Sequence, residues 1–161
     1  MTRRHPLAST TRLDTLPGHF VRRLNQISVA LFLQETEAHG VTPVQYAALQ
    51  AIHHQPDLDQ RRLARTIGFD ASTITGVVDR LEARGFVVRS PSPDDRRVRL
   101  LSLTKSGTDF LETVIPGMQR CQQRLLAPLS ARDQATFMRL LRRLVIANNE
   151  MSRAPGSDGA D

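Results

Sequence analysis

Small polar side chains are concentrated just after Asp70, in a segment whose apolar residues follow a helical spacing. A helix that enters the DNA major groove needs small side chains, because bulky ones would hold it away from the base edges. Glycine costs a helix about 0.5–1 kcal/mol relative to alanine, so Gly76 indicates either close approach to DNA or close packing against another helix. We expect four residues of this segment to face DNA: Ser72, Thr73, Thr75 and Gly76.

Arginines form a second group, in a segment that is predicted to be a β-hairpin. Two β-rich stretches, residues 86–90 and 98–103, flank a tip rich in Pro and Asp at residues 91–95. An aspartate beside an arginine can hold the guanidinium in one rotamer, which lowers the entropy lost when it enters a groove. A solvated charged turn is the alternative, but a hairpin directly after a helix-turn-helix favours DNA contact. The expected contacts are Arg89, Asp95, Arg96, Arg97 and Arg99.

Two charged residues near the end of the helix that follows Asp70 allow two interpretations. Arg80 could contact DNA together with the small polar residues before it. Alternatively, Asp79 and Arg80 could form an ion pair within the chain that orients the hairpin. The sequence does not decide between these interpretations, and we keep Arg80 among the expected DNA contacts.

Hydrophobic spacing and capping residues predict about six helices and one hairpin around these two groups. The fourth helix places Ile74, Val77, Val78 and Leu81 on one face, the i, i+3, i+4, i+7 pattern of a helix packed on a core. The predicted helices span residues 18–38, 43–54, 60–67, 71–84 and 105–126, with a kink at Pro116-Gly117 and a last helix after Ser130. The expected caps are Thr42, Asp59, Asp70, Thr104 and Ser130.

The composition favours a polyanionic partner. Lys and Arg number 22 against 16 Asp and Glu, and the formal net charge of +6 favours binding to nucleic acid through counterion release. Lys105 is the only lysine, a bias that genomic codon usage explains as well as DNA chemistry does. The sequence has no apolar run near the ~18 residues of a membrane span, and its start lacks the apolar segment of a secretory signal. We therefore expect a cytoplasmic protein, in which the single Cys121 forms no internal disulfide.

The hairpin and the helix before it resemble the MarR family of bacterial transcription regulators. The family's Asp-x-Arg and Leu-Thr-x-x-Gly patterns stand here as Asp95-Arg96-Arg97 and Leu103-Thr104-Lys105-Ser106-Gly107, and VDRLEARGFVVR at residues 78–89 matches the end of the recognition helix. The resemblance covers about residues 16–149 and implies a homodimer that binds a palindromic operator. Apolar stripes on the first and last helices agree with a dimer, because they exceed what a small winged helix can bury.

The expected fold is mainly α with a small β-hairpin wing: a winged helix-turn-helix with a helical dimerisation region. Residues 41–104 are predicted to form the DNA-binding domain. Dimerisation is assigned to a helix at residues 17–40 and to the C-terminal helices at residues 105–150. Residues 1–16 are expected to be a flexible arm and residues 151–161 a disordered tail.

Finer features resemble a MarR subgroup that senses aromatic acids, and within it repressors of nicotinate catabolism, whose inducer is a hydroxylated pyridine carboxylate. The segments that carry this likeness include LPGHFVRRLNQ at residues 16–26 and TPVQYAAL at residues 42–49. An aromatic acid needs a cation, apolar walls and a polar partner, expected in the crevice between the dimer helices and the DNA-binding lobe. A solvated basic face and ordinary core packing are the alternatives. The candidate ligand residues are His19, Phe20, Arg22, Arg23, Gln45, Tyr46, Gln50, His53 and Phe110, with Phe32 as a further wall.

Other classes of function find less support in the sequence. No catalytic motif stands out, so we expect neither an enzyme nor a cofactor. The adjacent His53 and His54 point about 100° apart on a helix and cannot chelate one metal ion together. Cys121 is expected to be a small packing residue rather than a reactive thiol. Two alternatives stay open: a winged-helix protein-interaction module, and a MarR-type regulator without a small-molecule inducer.

Overall fold

Side chains cap the start of five of the six helices in the computed structural model, which describes residues 12–152. Before the second helix, Thr42 and Gln45 form a capping box, in which each side chain accepts a hydrogen bond from the other residue's backbone N–H, at 3.3 and 3.1 Å. The other caps are Asp59, Asp70, Thr104 and Ser130, as predicted. The helices are α1 (Pro17–Thr36), α2 (Pro43–His54), α3 (Gln60–Thr66), α4 (Ala71–Ala83), α5 (Lys105–Leu126) and α6 (Ala131–Ala147).

Three strands form one antiparallel sheet: β1 (Leu58–Asp59), β2 (Val87–Pro91) and β3 (Arg99–Leu103), in the order β1-β3-β2. The two longer strands form the predicted hairpin. The sequence prediction of a two-stranded wing was incomplete, since β1 pairs with the free edge of β3, with Leu58 opposite Leu101. A strand of two residues has no alternating pattern, so periodicity could not indicate it.

The main core lies where α2, α3 and α4 pack against the sheet and the start of α5. All four apolar residues predicted to face inward from α4 are fully buried. Leu49, Leu63 and Leu101 join them from the neighbouring elements, each fully buried. This core holds the helix-turn-helix and the wing together, and it leaves the opposite face of α4 exposed.

A smaller apolar cluster joins α1 to α5, and it contains Phe32 and Cys121, which are 3% and 1% exposed. Burial raises the pKa of the Cys121 thiol, and the nearby charge of Glu35 raises it further, which agrees with a packing role. Pro116 lies inside α5, which is one helix from Lys105 to Leu126. At Gly117 a Cβ would stand 2.6 Å from the Glu35 carbonyl oxygen, so this glycine permits the close contact of α1 with α5.

Thr104 connects the wing to the start of α5. Its hydroxyl donates to the Gly85 carbonyl at 2.6 Å and accepts from the Gly107 N–H at 3.0 Å, while its own N–H donates to the Phe86 carbonyl. A Cβ on Gly107 would lie 2.0 Å from that same carbonyl oxygen. The Leu-Thr-x-x-Gly pattern therefore has a steric cause: the first turn of α5 lies directly on the Phe86 backbone.

We expect Gly107→Ala to lower the free energy of unfolding by about 3 kcal/mol, because the added methyl would displace backbone rather than a flexible side chain. Urea denaturation at fixed protein concentration measures the difference. Gly18→Ala is the matched control, since a Cβ there meets no atom within 4 Å. Equal stabilities of the two variants would contradict this account of the motif.

Candidate nucleic-acid interface

The exposed face of α4 begins with a hydrogen-bonded cluster around Asp70. The Asp70 carboxylate accepts from the Ser72 hydroxyl at 2.5 Å, the Thr73 hydroxyl at 2.7 Å and the Thr73 N–H at 2.8 Å. The hydrogen bonds from Ser72 and Thr73 hold the pKa of this carboxyl far below its ordinary value. Two of the side chains expected to contact DNA are therefore held in defined rotamers by the helix cap.

Thr75 and Gly76 occupy the next part of the same face. Thr75 is exposed, and its hydroxyl contacts the Gln60 side chain of α3 at 2.5 Å. A Cβ on Gly76 would meet only the Arg80 guanidinium, at 3.6 Å. Within residues 12–152 no other helix comes within 4 Å of this position, so close helix packing inside the chain does not explain the glycine. This supports close approach to DNA as the explanation of Gly76.

Arg89 fastens the wing to α4. From β2 its guanidinium donates to Asp79 at 2.6 Å and to Glu82, both on α4. Its side chain is only 22% exposed, and although burial opposes the charge, the two carboxylates raise the pKa of Arg89 above its ordinary value. The proposed Asp79–Arg80 pair was wrong, because Asp79 pairs with Arg89. The geometry supports a positioning role for Arg89 in place of direct DNA contact.

The wing tip presents exposed arginines, one of which is paired with an aspartate. Asp95 accepts from the Arg97 side chain at 3.2 and 3.3 Å and from the Arg97 N–H at 3.0 Å, so it orients this arginine as expected. The hydrogen bonds from Arg97 lower the pKa of Asp95. The Arg97 side chain remains 91% exposed. Arg96 and Arg99 are exposed as well, which leaves a cationic hairpin tip beside α4.

Arg84 joins the end of α4 to the turn between α1 and α2, a contact that the sequence analysis missed. Its guanidinium donates to the carbonyls of Gly40 at 3.0 Å and His39 at 3.2 Å. It also lies over the stacked rings of Phe86 and Phe110, at 4.7 and 5.0 Å from their centroids. Phe86 is two positions from Arg84, but His39, Gly40 and Phe110 are distant in sequence, so neither spacing nor residue type could have indicated those three contacts.

The candidate ligand residues fall into separate groups within the chain. On α1, Arg22 contacts His19 at 3.4 Å and Gln26 at 3.3 Å, while Phe20 is 56% exposed. Phe20 and Arg23 line an open groove of about 670 Å³ between α1, the end of α5 and α6.

The second group of candidates lies on α2 and α5. The Tyr46 hydroxyl accepts from the Gln50 amide at 2.7 Å, and its ring packs 6.0 Å from that of Phe32. Gln45 is buried and its side-chain oxygen is used in the capping box, while Phe110 is stacked on Phe86 beneath Arg84. His53 is exposed near the end of α2. One chain therefore does not assemble the predicted ligand residues into one site.

Between residues 12 and 152, no helix combines the length and apolar character needed to cross a bilayer. In the same range no three His, Cys, Asp or Glu residues lie together in a way that could hold a metal ion.

Comparisons with known proteins agree with this geometry. The MarR family pattern matches residues 41–98, which include the helix-turn-helix and the wing tip. The HTH-type transcriptional repressor NicR of Pseudomonas putida is 31% identical over 144 residues, which cover 85% of this chain and 91% of that protein.

Two solved structures extend the likeness to nearly the whole fold. The PcaV transcriptional regulator of Streptomyces coelicolor, solved with its natural ligand, is 38% identical with a TM-score of 0.77 and covers 85% of this chain and 96% of its own. BpsR of Bordetella bronchiseptica, whose DNA binding is regulated by 6-hydroxynicotinic acid, is 28% identical with a TM-score of 0.81 and covers 84% and 97%. An exposed recognition helix, an arginine wing and these likenesses together lead to one conclusion: the chain belongs to the MarR family and is a DNA-binding transcriptional regulator, not an enzyme.

Proposed function

We propose that this regulator is a cytoplasmic repressor that binds a palindromic operator as a homodimer and leaves it when a small aromatic carboxylic acid binds. The observation that carries the DNA-binding part is the fixed pairing of wing and recognition helix. Arg89 joins β2 to α4, so the open face around Thr73 and Thr75 and the cationic tip at Arg97 are presented together. Such an arrangement places a helix in the major groove and an arginine beside it.

The dimer is proposed from the apolar surface of α1 and α6. No residue of α6 is buried in the single chain. Leu140 and Leu144 are 45% and 60% exposed, and on α1 Phe20 and Val21 are 56% and 61% exposed. Exposed apolar side chains gathered in one patch are typical of protein interfaces and support this proposal. A second copy of the chain, related by a two-fold axis, would bury them and place two recognition helices about 10 bp apart.

The effector is proposed from the α1 cations and from the relatives. BpsR responds to 6-hydroxynicotinic acid, a ring with a carboxylate and a hydroxyl. Arg22 and Arg23 offer cations for a carboxylate, and Phe20, exposed beside them, offers an apolar wall. The Tyr46 and Gln50 pair on α2 offers polar atoms for a ring hydroxyl.

The α1 cations and the Tyr46–Gln50 pair would serve one ligand through contributions from two subunits. Arg22 and the Tyr46 neighbour Phe32 are ten residues apart on α1, or about 15 Å along the helix axis. That distance is too long for one aromatic ring and its carboxylate. In a dimer, the start of α1 from one subunit would lie against the DNA-binding lobe of the other. Ligand binding would then change the spacing of the two lobes, and the operator would select the ligand-free spacing.

We expect Leu144→Asp to convert a dimer into monomers, because a carboxylate on the apolar stripe of α6 would be buried in the interface without a partner. Sedimentation velocity gives the oligomeric state. Ala135→Asp adds the same charge to the opposite face of α6 and should leave the dimer intact. A wild-type chain that sediments as a monomer at micromolar concentration would overturn the homodimer.

Arg97 at the wing tip is expected to contact DNA without regard to base sequence. Arg97→Ala should weaken binding to a preferred duplex and to random duplexes alike, and it should lower the slope of log affinity against log salt by about 1. Fluorescence anisotropy over a salt series measures both quantities. Arg132→Ala, on the polar face of α6, is the control for removing one charge. A loss confined to the preferred duplex would instead assign Arg97 to base contact.

The effector prediction uses 6-hydroxynicotinic acid as the probe. It should weaken binding of the wild-type dimer to its preferred duplex, and Arg23→Ala should raise the required concentration about tenfold, since a charged hydrogen bond is lost. Arg132→Ala again serves as the control. DNA affinity that stays unchanged with this acid and with benzoate and its hydroxylated forms would contradict an aromatic acid effector.

A further inference from the structure

The hydroxyl of Thr75 is held by two hydrogen bonds of opposite direction. It donates its proton to the Ala71 carbonyl, one turn earlier in α4, at 2.9 Å. It accepts from the side-chain amide nitrogen of Gln60 in α3, at 2.5 Å. A hydroxyl has one proton and two lone pairs, so this arrangement leaves Thr75 with one free lone pair and its methyl group.

We propose that Gln60 is a specificity-determining residue: it donates to the Thr75 oxygen while the Ala71 carbonyl accepts the hydroxyl proton, and together these bonds fix the exposed hydroxyl as an acceptor toward DNA. The inference rests on the DNA binding described above and deepens it. With its proton engaged, Thr75 cannot donate to guanine O6 or N7. It can accept from the amino group of adenine or cytosine, or place its methyl against the methyl of thymine. Positions contacted by Thr75 should therefore exclude guanine.

Gln60 also retains polar groups of its own. Its amide uses one N–H for Thr75, which leaves a second N–H and the carbonyl oxygen. Gln60 is the first residue of α3 and is half-buried, so these groups lie at the junction of the two helices of the motif. An adenine edge accepts and donates at adjacent atoms, which is the pattern that a glutamine amide matches. Gln60 and Thr75 would thus contact the bases together, although they are 15 positions apart in sequence.

Gln60 is not required to hold the fold. The contact between α3 and α4 is already made by Leu63, Ala64, Ile74 and Val77, which are buried in the main core. Removing the Gln60 amide should therefore change base preference while the thermal unfolding of the chain stays the same. If Gln60 had a purely structural role, its removal would lower the unfolding temperature and leave base preference unchanged.

The test is a double-mutant cycle on the full chain. Duplexes are first selected from a random pool with the wild-type protein, and affinities for the selected and random duplexes are then measured for Gln60→Ala, Thr75→Val and the double variant. Each single change should lower the ratio of selected to random affinity about tenfold or more. The double variant should lose little beyond either single one, because the two side chains act together.

Two controls separate the outcomes. Gln55→Ala removes an exposed glutamine that does not contact Thr75 and should leave the ratio unchanged, and Thr75→Ser, which keeps the hydroxyl, should retain the exclusion of guanine. Additive losses, an equal loss on both kinds of duplex, or guanine selected at the Thr75 position would overturn the inference. A wild-type chain that selects no duplex above random would instead remove sequence-specific binding itself, and the two failures are thus distinguishable.

Discussion

DNA recognition by this chain depends on a fixed relative position of the wing and the recognition helix, α4. The ion pairs of Arg89 are the polar contacts that hold the two together. The guanidinium is largely buried and lies between Asp79 and Glu82. A partly buried cation is stable only with its partners, and the two carboxylates of α4 would repel each other without it. Movement of the sheet away from α4 would therefore break both ion pairs of Arg89.

The polar face of α4 is organised before DNA arrives. Asp70 orients Ser72 and Thr73, Gln60 orients Thr75, and Asp95 orients Arg97 at the wing tip. Side chains that already occupy one rotamer lose less entropy on binding. The carboxylates of Asp70 and Asp95 also reduce the positive charge of the DNA-facing surface. They therefore orient its side chains at some cost in electrostatic attraction to DNA.

The other half of the molecule is incomplete in a single chain. α6 buries none of its residues, and the α1 cations lie well away from the α2 residues that could share a ligand with them. The proposed second subunit would resolve both features with one set of contacts. Arg84 connects this half to the DNA-binding half, because it holds the end of α4 to the carbonyls of His39 and Gly40 in the turn after α1.

The sequence alone determined the helices and their starts, because those signals act over a few residues. Thr42, Asp70 and Thr104 bond to N–H groups three positions later, and the spacing from Ile74 to Leu81 defined the buried face of α4. Only the tertiary structure decided which distant groups meet. The pairing of β1 with β3, the partners of Arg89 and Arg84, and the contact of Gln60 with Thr75 join residues brought together by packing of the whole core. Residue types constrain such contacts weakly, since many arginines and carboxylates were available and only their final positions select the pairs.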